Sequence, residues 1–150
     1  MAIVAIVDDR VTNRNIFSKL AASIAPDIEV HSFGNPREAL DWLAANPADL
    51  VITDYKMPEM NGADFVRALR ATKDASDIPV VVITVYEERS YRLRALEAGA
   101  TDFLNSPVDH HEFITRTRNL LALRRHQKLL AARADTLAQE LADSERSRER

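Results

Sequence analysis

A series of short runs, rich in β-branched residues and each closed by polar or turn residues, constrains this chain more than any other feature. They are Ala2–Val7 (AIVAIV), Glu29–Phe33, Leu50–Thr53, Ile78–Val85 (IPVVVITV) and Thr101–Leu104. Runs this short, bounded by turn signals, read as strands. Those whose apolar character is continuous rather than alternating belong in a sheet covered on both faces, which is the signature of parallel pairing. Pro79 is tolerable because it stands at the beginning of its run.

The segments between the runs carry helical spacing. Val11–Ala25 repeats Ile16, Leu20 and Ile24 at every fourth residue, with Thr12 or Asn13 available as a cap and Pro26 after its end. Asn35-Pro36 opens a helix that runs through Ala45, a capping residue followed by proline at the first turn, with Ala39, Leu40 and Leu43 facing inward. Ala63–Ala71 presents Phe65, Val66 and Leu69 as its apolar face. Glu87–Ala98 places Leu93 and Leu96 inward, with Gly99 at C′. A long last helix begins near Asp109. Strands alternating with helices at this spacing make parallel βαβ units, hence a doubly wound α/β fold.

At 46% hydrophobic and 29% charged residues, 150 residues are enough for one domain with a real core and some chain to spare. The absence of cysteine excludes disulfides and thiolate chemistry. MAIVAIVDD has no basic n-region and its apolar run is broken at Asp8, so no signal peptide is expected. No apolar run approaches the roughly 18 residues that suggest a membrane span, and a cytoplasmic location without membrane contact is expected. Residues 1–123 carry 13 Lys+Arg against 18 Asp+Glu, a net −5, while residues 124–150 carry 7 against 5, a net +2. An acidic body argues against nonspecific nucleic-acid binding.

The last helix outruns the sheet. Phe113, Arg116, Leu120, Leu123, Gln127, Leu130, Ala134, Leu137, Leu141 and Ser144 follow alternating steps of three and four, a coiled-coil pattern. It reads as a homodimer seam or as one helix packed back on its own domain. The expected organisation is a body over 1–123 and an extended helix over 124–150, with SERSRER (Ser144–Arg150) fraying. Its end in mid-helix at Arg150 leads us to expect a longer protein, with the output domain beyond this chain.

Polar groups collect at the strand ends: Asp8 and Asp9, then Asp54, Thr84, and Ser106-Pro107. In a parallel sheet these C-terminal ends share one edge, where open α/β sheets place their ligands. Asp54 alone reads equally well as a turn residue. Three converging carboxylates repel unless a cation intervenes, and an all-oxygen site suits Mg²⁺. His31, His110, His111 and His126 are expected on the surface away from the strand ends, which argues against zinc.

These residues together resemble the receiver domains of two-component response regulators. The likeness covers about residues 1–123 and rests on the Asp8-Asp9 pair, Asp54 followed by MPEMNG (Met57–Gly62), Thr84 after VVVI, Ala98-Gly99-Ala100, and Phe103 with Pro107. From Asp9 to Asp54 is 45 residues, from Asp54 to Thr84 is 30, and from Asp54 to Ser106 is 52, spacings typical of that family. The resemblance implies a five-stranded sheet in the order 2-1-3-4-5. It implies that Asp54 accepts a phosphoryl group from a sensor histidine kinase or phosphotransfer protein, and that the domain signals rather than acting as an enzyme. Asp9, Asp54 and the Lys56 backbone carbonyl would hold Mg²⁺, with Asp8 supporting them. Thr84 would hydrogen-bond a phosphoryl oxygen. Phe103 would be the aromatic that turns inward in response, or else an ordinary core ring.

Position 106 departs from the family, which usually carries lysine before this proline. Ser106 offers one hydrogen bond, a shorter reach and no charge. The pocket is left more negative and more dependent on Mg²⁺. Lys56 and Arg89 lie on neighbouring loops as candidate substitutes. Retained Pro107 carries the expectation of a cis Ser106-Pro107 bond. Two functions stay open beside each other: a phosphorylatable receiver controlling dimer geometry or an output through its last helix, and a receiver-like interaction module whose switch is lost or altered. A phosphate-ester hydrolase on the same fold is a third, disfavoured by the absence of a cap insertion. The tail, Leu121–Arg150, is similar to linkers preceding HD-type cyclic-di-GMP phosphodiesterases, histidine kinases and diguanylate cyclases.

Overall fold

Val4 and Ile6 point to one side of their strand, and Ala5 and Val7 to the other; all four are fully buried, so helices must cover both faces. The strand is Ala2–Val7 (β1), which pairs in parallel with Ile28–Phe33 (β2) and with Leu50–Asp54 (β3). β3 pairs with Val80–Val85 (β4), and β4 with Asp102–Ser106 (β5), all parallel, giving the expected order 2-1-3-4-5. The structure is a computed structural model that describes residues 1–85 and 87–148.

Val11–Ala22 (α1) and His110–Arg148 (α5) cover one face through Phe17, Ala21, Phe113 and Leu121. Pro36–Ala45 (α2), Gly62–Arg70 (α3) and Arg89–Ala98 (α4) cover the other. α2 begins as expected, with Asn35 accepting the Arg37 N–H at 2.8 Å. α3 buries Phe65, Val66 and Leu69 completely, its expected face. Gly99 ends α4 in the left-handed conformation at φ 109°, where glycine carries no Cβ penalty.

Three expected faces are corrected. In α1 the buried residues are Phe17 and Ala21, while Ile16 is exposed, because the Phe17 ring stacks on Phe113 with centroids 5.3 Å apart. Its N-cap is Arg10, without a capping side chain, rather than Thr12 or Asn13. In α4, Leu93 and Leu96 are 51% and 42% exposed and Ala95 and Ala98 are buried. Small residues let α4 lie close to its neighbours, and Tyr91 stacks on Tyr55 at 4.3 Å. In α5 the body-facing residues are Phe113, Thr117 and Leu121. Arg116 instead reaches Asp102 at 2.6 Å and Glu112 at 3.0 Å, and Leu120 is half-buried against the core, so neither opens a free seam.

α5 has 39 residues, a length of about 58 Å at 1.5 Å per residue. Its contacts with the body continue past Leu121. Asp49, with 9% of its side chain exposed, accepts from the Ile3 N–H at 2.8 Å and from Lys128 Nζ at 2.7 Å. Arg124 lies between Asp49 and Asp77, at 3.8 Å and 3.2 Å. Beyond this clamp Leu129, Leu130, Leu137 and Leu141 stand exposed. Among the described residues no helix is long and apolar enough to cross a membrane.

Candidate functional site

β1 and β3 are adjacent and in register from Val4 opposite Leu50 to Val7 opposite Thr53. The residues that follow are therefore brought together at one edge, Asp8 and Asp9 from one strand and Asp54 from the other. One carboxylate oxygen from each lies within 4.8 Å of the others. Asp8 is buried at 1% exposure, Asp54 is half-buried and Asp9 faces solvent. The three open into a cleft of about 590 Å³ that also contains Lys56, Ser106 and Pro107. The Ser106-Pro107 peptide is cis, as expected.

The loop after Asp54 is drawn back over the strand end. Gly62 donates its N–H to the Tyr55 carbonyl at 2.7 Å, and Asn61 caps α3 by accepting the Asp64 N–H at 2.9 Å. A Cβ at Gly62 would lie 2.9 Å from both the Asp54 carbonyl oxygen and Tyr55 Cα, so this close approach requires glycine.

Electrostatics set the character of the cleft. Burial, then the charge of Asp8, push the Asp54 carboxyl up to about 7, with Asp9 adding to the effect. The Tyr55 N–H, donating to Asp54 Oδ1 at 3.0 Å, and the charge of Arg10 oppose them. Burial also raises Asp8, against hydrogen bonds from the Arg10 N–H at 2.9 Å and the Asn13 side chain. This is a carboxylate cluster short of positive charge. Its all-oxygen donor set fits a hard divalent cation, and Mg²⁺ in particular.

Other expected residues sit nearby but outside the cleft. Thr84 is 1% exposed on β4, and its Oγ1 has no hydrogen-bond partner. Phe103 is half-buried on β5, with the Arg92 guanidinium 5.3 Å above its ring. Arg89 begins α4 and does not line the cleft. One expectation is overturned: His110, in the first turn of α5, does line the cleft, because that helix starts just beyond Pro107. Arg10 and Asn13, the latter expected only as a helix cap, also line the cleft. Their only signal was adjacency to the acidic pair.

A family profile described as the response regulator receiver domain matches residues 4–118. The cyclic di-GMP phosphodiesterase response regulator RpfG of Xanthomonas campestris pv. campestris is 40% identical over 141 residues, covering 94% of this chain and 37% of that protein. Response regulator MprA of Mycolicibacterium vanbaalenii is 35% identical over 119 residues, covering 79% of this chain and 49% of that one. The chain thus spans less than half the length of either relative. Among solved structures, chemotaxis response regulator CheY4 of Vibrio cholerae superposes with a TM-score of 0.73 at 27% identity, over 80% of this chain and 98% of that one. With the sheet order, the acidic strand ends and these matches in agreement, the chain belongs to the family of response regulator receiver domains.

Proposed function

We propose that Asp54 is the phosphoacceptor of this receiver and that Mg²⁺ is its cofactor. The observation that carries the reading is the convergence of the Asp8, Asp9 and Asp54 carboxylates within 4.8 Å at one sheet edge. Asp9, Asp54 and the Lys56 backbone carbonyl hold the ion, and Asp8 supports them from its buried position. When bound, Mg²⁺ supplies the positive charge that offsets the carboxylates and the oxygens of the transferring phosphoryl group.

An Asp54 carboxylate oxygen attacks phosphorus. The phosphorus–nitrogen bond to the donor histidine breaks, its electron pair stays on the imidazole, and an acyl phosphate forms at Asp54. The donor is a sensor histidine kinase or a phosphotransfer protein. The Thr84 hydroxyl, buried without a partner, donates to a phosphoryl oxygen. Phe103 answers by moving inward from its half-buried position. A new dianion that reorganises a neighbouring loop is a common way to switch such a surface.

The division we propose is a receiver over 1–123 and an extended signalling helix over 124–150. Leu123, Leu130, Leu137 and Leu141, all exposed, form the seam of a coiled-coil homodimer in the cytoplasm. The likeness to RpfG runs over 141 residues, longer than the receiver itself. That supports a helix leading to an output domain of the cyclic-di-GMP phosphodiesterase class, with any enzymatic activity residing there.

Incubation of the chain with acetyl phosphate and Mg²⁺, read by intact-mass spectrometry, is the test. One phosphoryl group is expected, absent with chelator and absent in Asp54→Asn. Ser106, which brings no cation to the cleft, favours a second reading as an interaction module that signals without phosphorylation. A folded wild type that takes no phosphoryl group selects it.

A further inference from the structure

A phosphoryl group arriving at Asp54 enters a cleft that already holds three carboxylates, and Ser106 contributes no charge to answer it. The side chains lining the cleft include three basic groups: Arg10, Lys56 and His110. They differ in how they are tied to the acids.

Arg10 stands between β1 and α1 in extended conformation, and its N–H donates to Asp8 Oδ1 at 2.9 Å. Its backbone is thereby anchored to the acidic cluster. Its guanidinium is exposed and makes no hydrogen bond or ion pair among the described residues. Arg14, one turn later, is already engaged: Nη1 donates to the Asp8 carbonyl at 2.8 Å, and its head lies so close to Gly34 that a Cβ there would be 2.9 Å from Nη1. The charge of Arg10 lowers both Asp8 and Asp54 against the burial that raises them, and its backbone N–H ties it to the acidic cluster. His110 carries a full charge only when protonated. Arg89 lies outside the cleft.

We propose that the Arg10 guanidinium binds the phosphoryl oxygens at Asp54, supplying from the β1–α1 loop the positive charge that Ser106 lacks on the β5 side. The assignment rests on the phosphoacceptor reading of Asp54. A guanidinium suits the task because its planar fork donates to two phosphoryl oxygens at once and it stays charged at every relevant pH. Its long stem lets an exposed residue reach into the cleft without being built into the core.

The test follows aspartyl phosphate formation from acetyl phosphate with Mg²⁺ by time-resolved intact mass. It uses the full chain as wild type, Arg10→Ala, Arg10→Lys, Ser106→Lys, the double variant Arg10→Ala/Ser106→Lys, and Arg89→Ala as a control. Arg10→Ala should slow formation about tenfold, the scale of one charge-assisted hydrogen bond at a half-open site. Arg10→Lys should recover part of the loss, and Arg89→Ala should match wild type. Ser106→Lys should accelerate the Arg10→Ala protein by a larger factor than it accelerates wild type, because the two cations serve the same oxygens. The urea midpoint of Arg10→Ala should stay at the wild-type value. An Arg10→Ala protein labelled at the wild-type rate overturns this assignment alone. Equal acceleration by Ser106→Lys in both backgrounds also overturns it. A wild type that takes no phosphoryl group overturns the phosphoacceptor reading and this assignment with it.

Discussion

Replacing Asp54 by asparagine should stabilise the metal-free protein, and the gain should depend on pH. The Asp54 carboxyl is pushed from its ordinary 3.8 up to about 7, chiefly by burial and then by the charge of Asp8. Between those pH values the folded chain holds a proton that the unfolded chain has released, so stability falls as pH rises through the window. The whole penalty is present above about 7. At about 1.4 kcal/mol per pH unit the window corresponds to about 4 kcal/mol, which access of water to the open cleft reduces to about 2 kcal/mol. Asparagine keeps an oxygen for the Tyr55 N–H, now 3.0 Å from Asp54 Oδ1, and carries no charge. At pH 8 with chelator, Asp54→Asn should therefore be more stable by about 2 kcal/mol, or roughly 6–10 °C in Tm for a body of this size. At pH 5 the difference should shrink to under about 1 kcal/mol. Urea unfolding followed by fluorescence reads this directly. Trp42 is the single tryptophan, and its ring packs 4.6 Å from His31 and 5.5 Å from Phe33. Mg²⁺ at about 100 times its Kd should stabilise wild type by about 2.7 kcal/mol and the variant by less. Parallel pH profiles for the two proteins, or a less stable variant at pH 8, would show that Asp54 carries no such penalty in the folded chain.

Three further perturbations probe the parts that hold the site and the helix. Gly62→Ala places a methyl group 2.9 Å from the Asp54 carbonyl oxygen and Tyr55 Cα; the backbone must shift, lowering stability by about 2 kcal/mol, and a Mg²⁺ titration should show weaker binding. Asp49→Ala strands the Ile3 N–H and removes the partner of Lys128, a loss of about 2–3 kcal/mol measurable as a drop in urea midpoint. Leu130→Ser with Leu137→Ser alters two side chains that are 65% and 55% exposed; sedimentation should report a dimer for wild type and a monomer for the variant, with the receiver's unfolding little changed.

How far the sequence was legible followed the physics of each element. Strands were clear because a parallel sheet covered on both faces needs continuous apolar runs, and Leu50 to Ile52 supplies one. α3 was clear because its large residues are also its buried ones. α4 was misread because its closest packing uses Ala95 and Ala98 and leaves Leu93 and Leu96 outside. Periodicity assigns the inward face to the largest apolar side chains, and close helix packing need not. In α1 the regular spacing of Ile16, Leu20 and Ile24 pointed away from Phe17, whose ring is held by its stack on Phe113. At the site, the carboxylates were visible because strand ends in a parallel sheet must share an edge. Arg10, Asn13 and His110 were not, because their positions depend on the paths of loops, and no residue spacing encodes those.

Borohydride trapping reads out whether Asp54 carries the phosphoryl group. Reduction of an acyl phosphate converts the modified aspartate to homoserine, which peptide sequencing by mass spectrometry locates. After exposure to acetyl phosphate and Mg²⁺, homoserine is expected at position 54. Homoserine at position 8 or 9, or at none of the three, would overturn Asp54 as the phosphoacceptor.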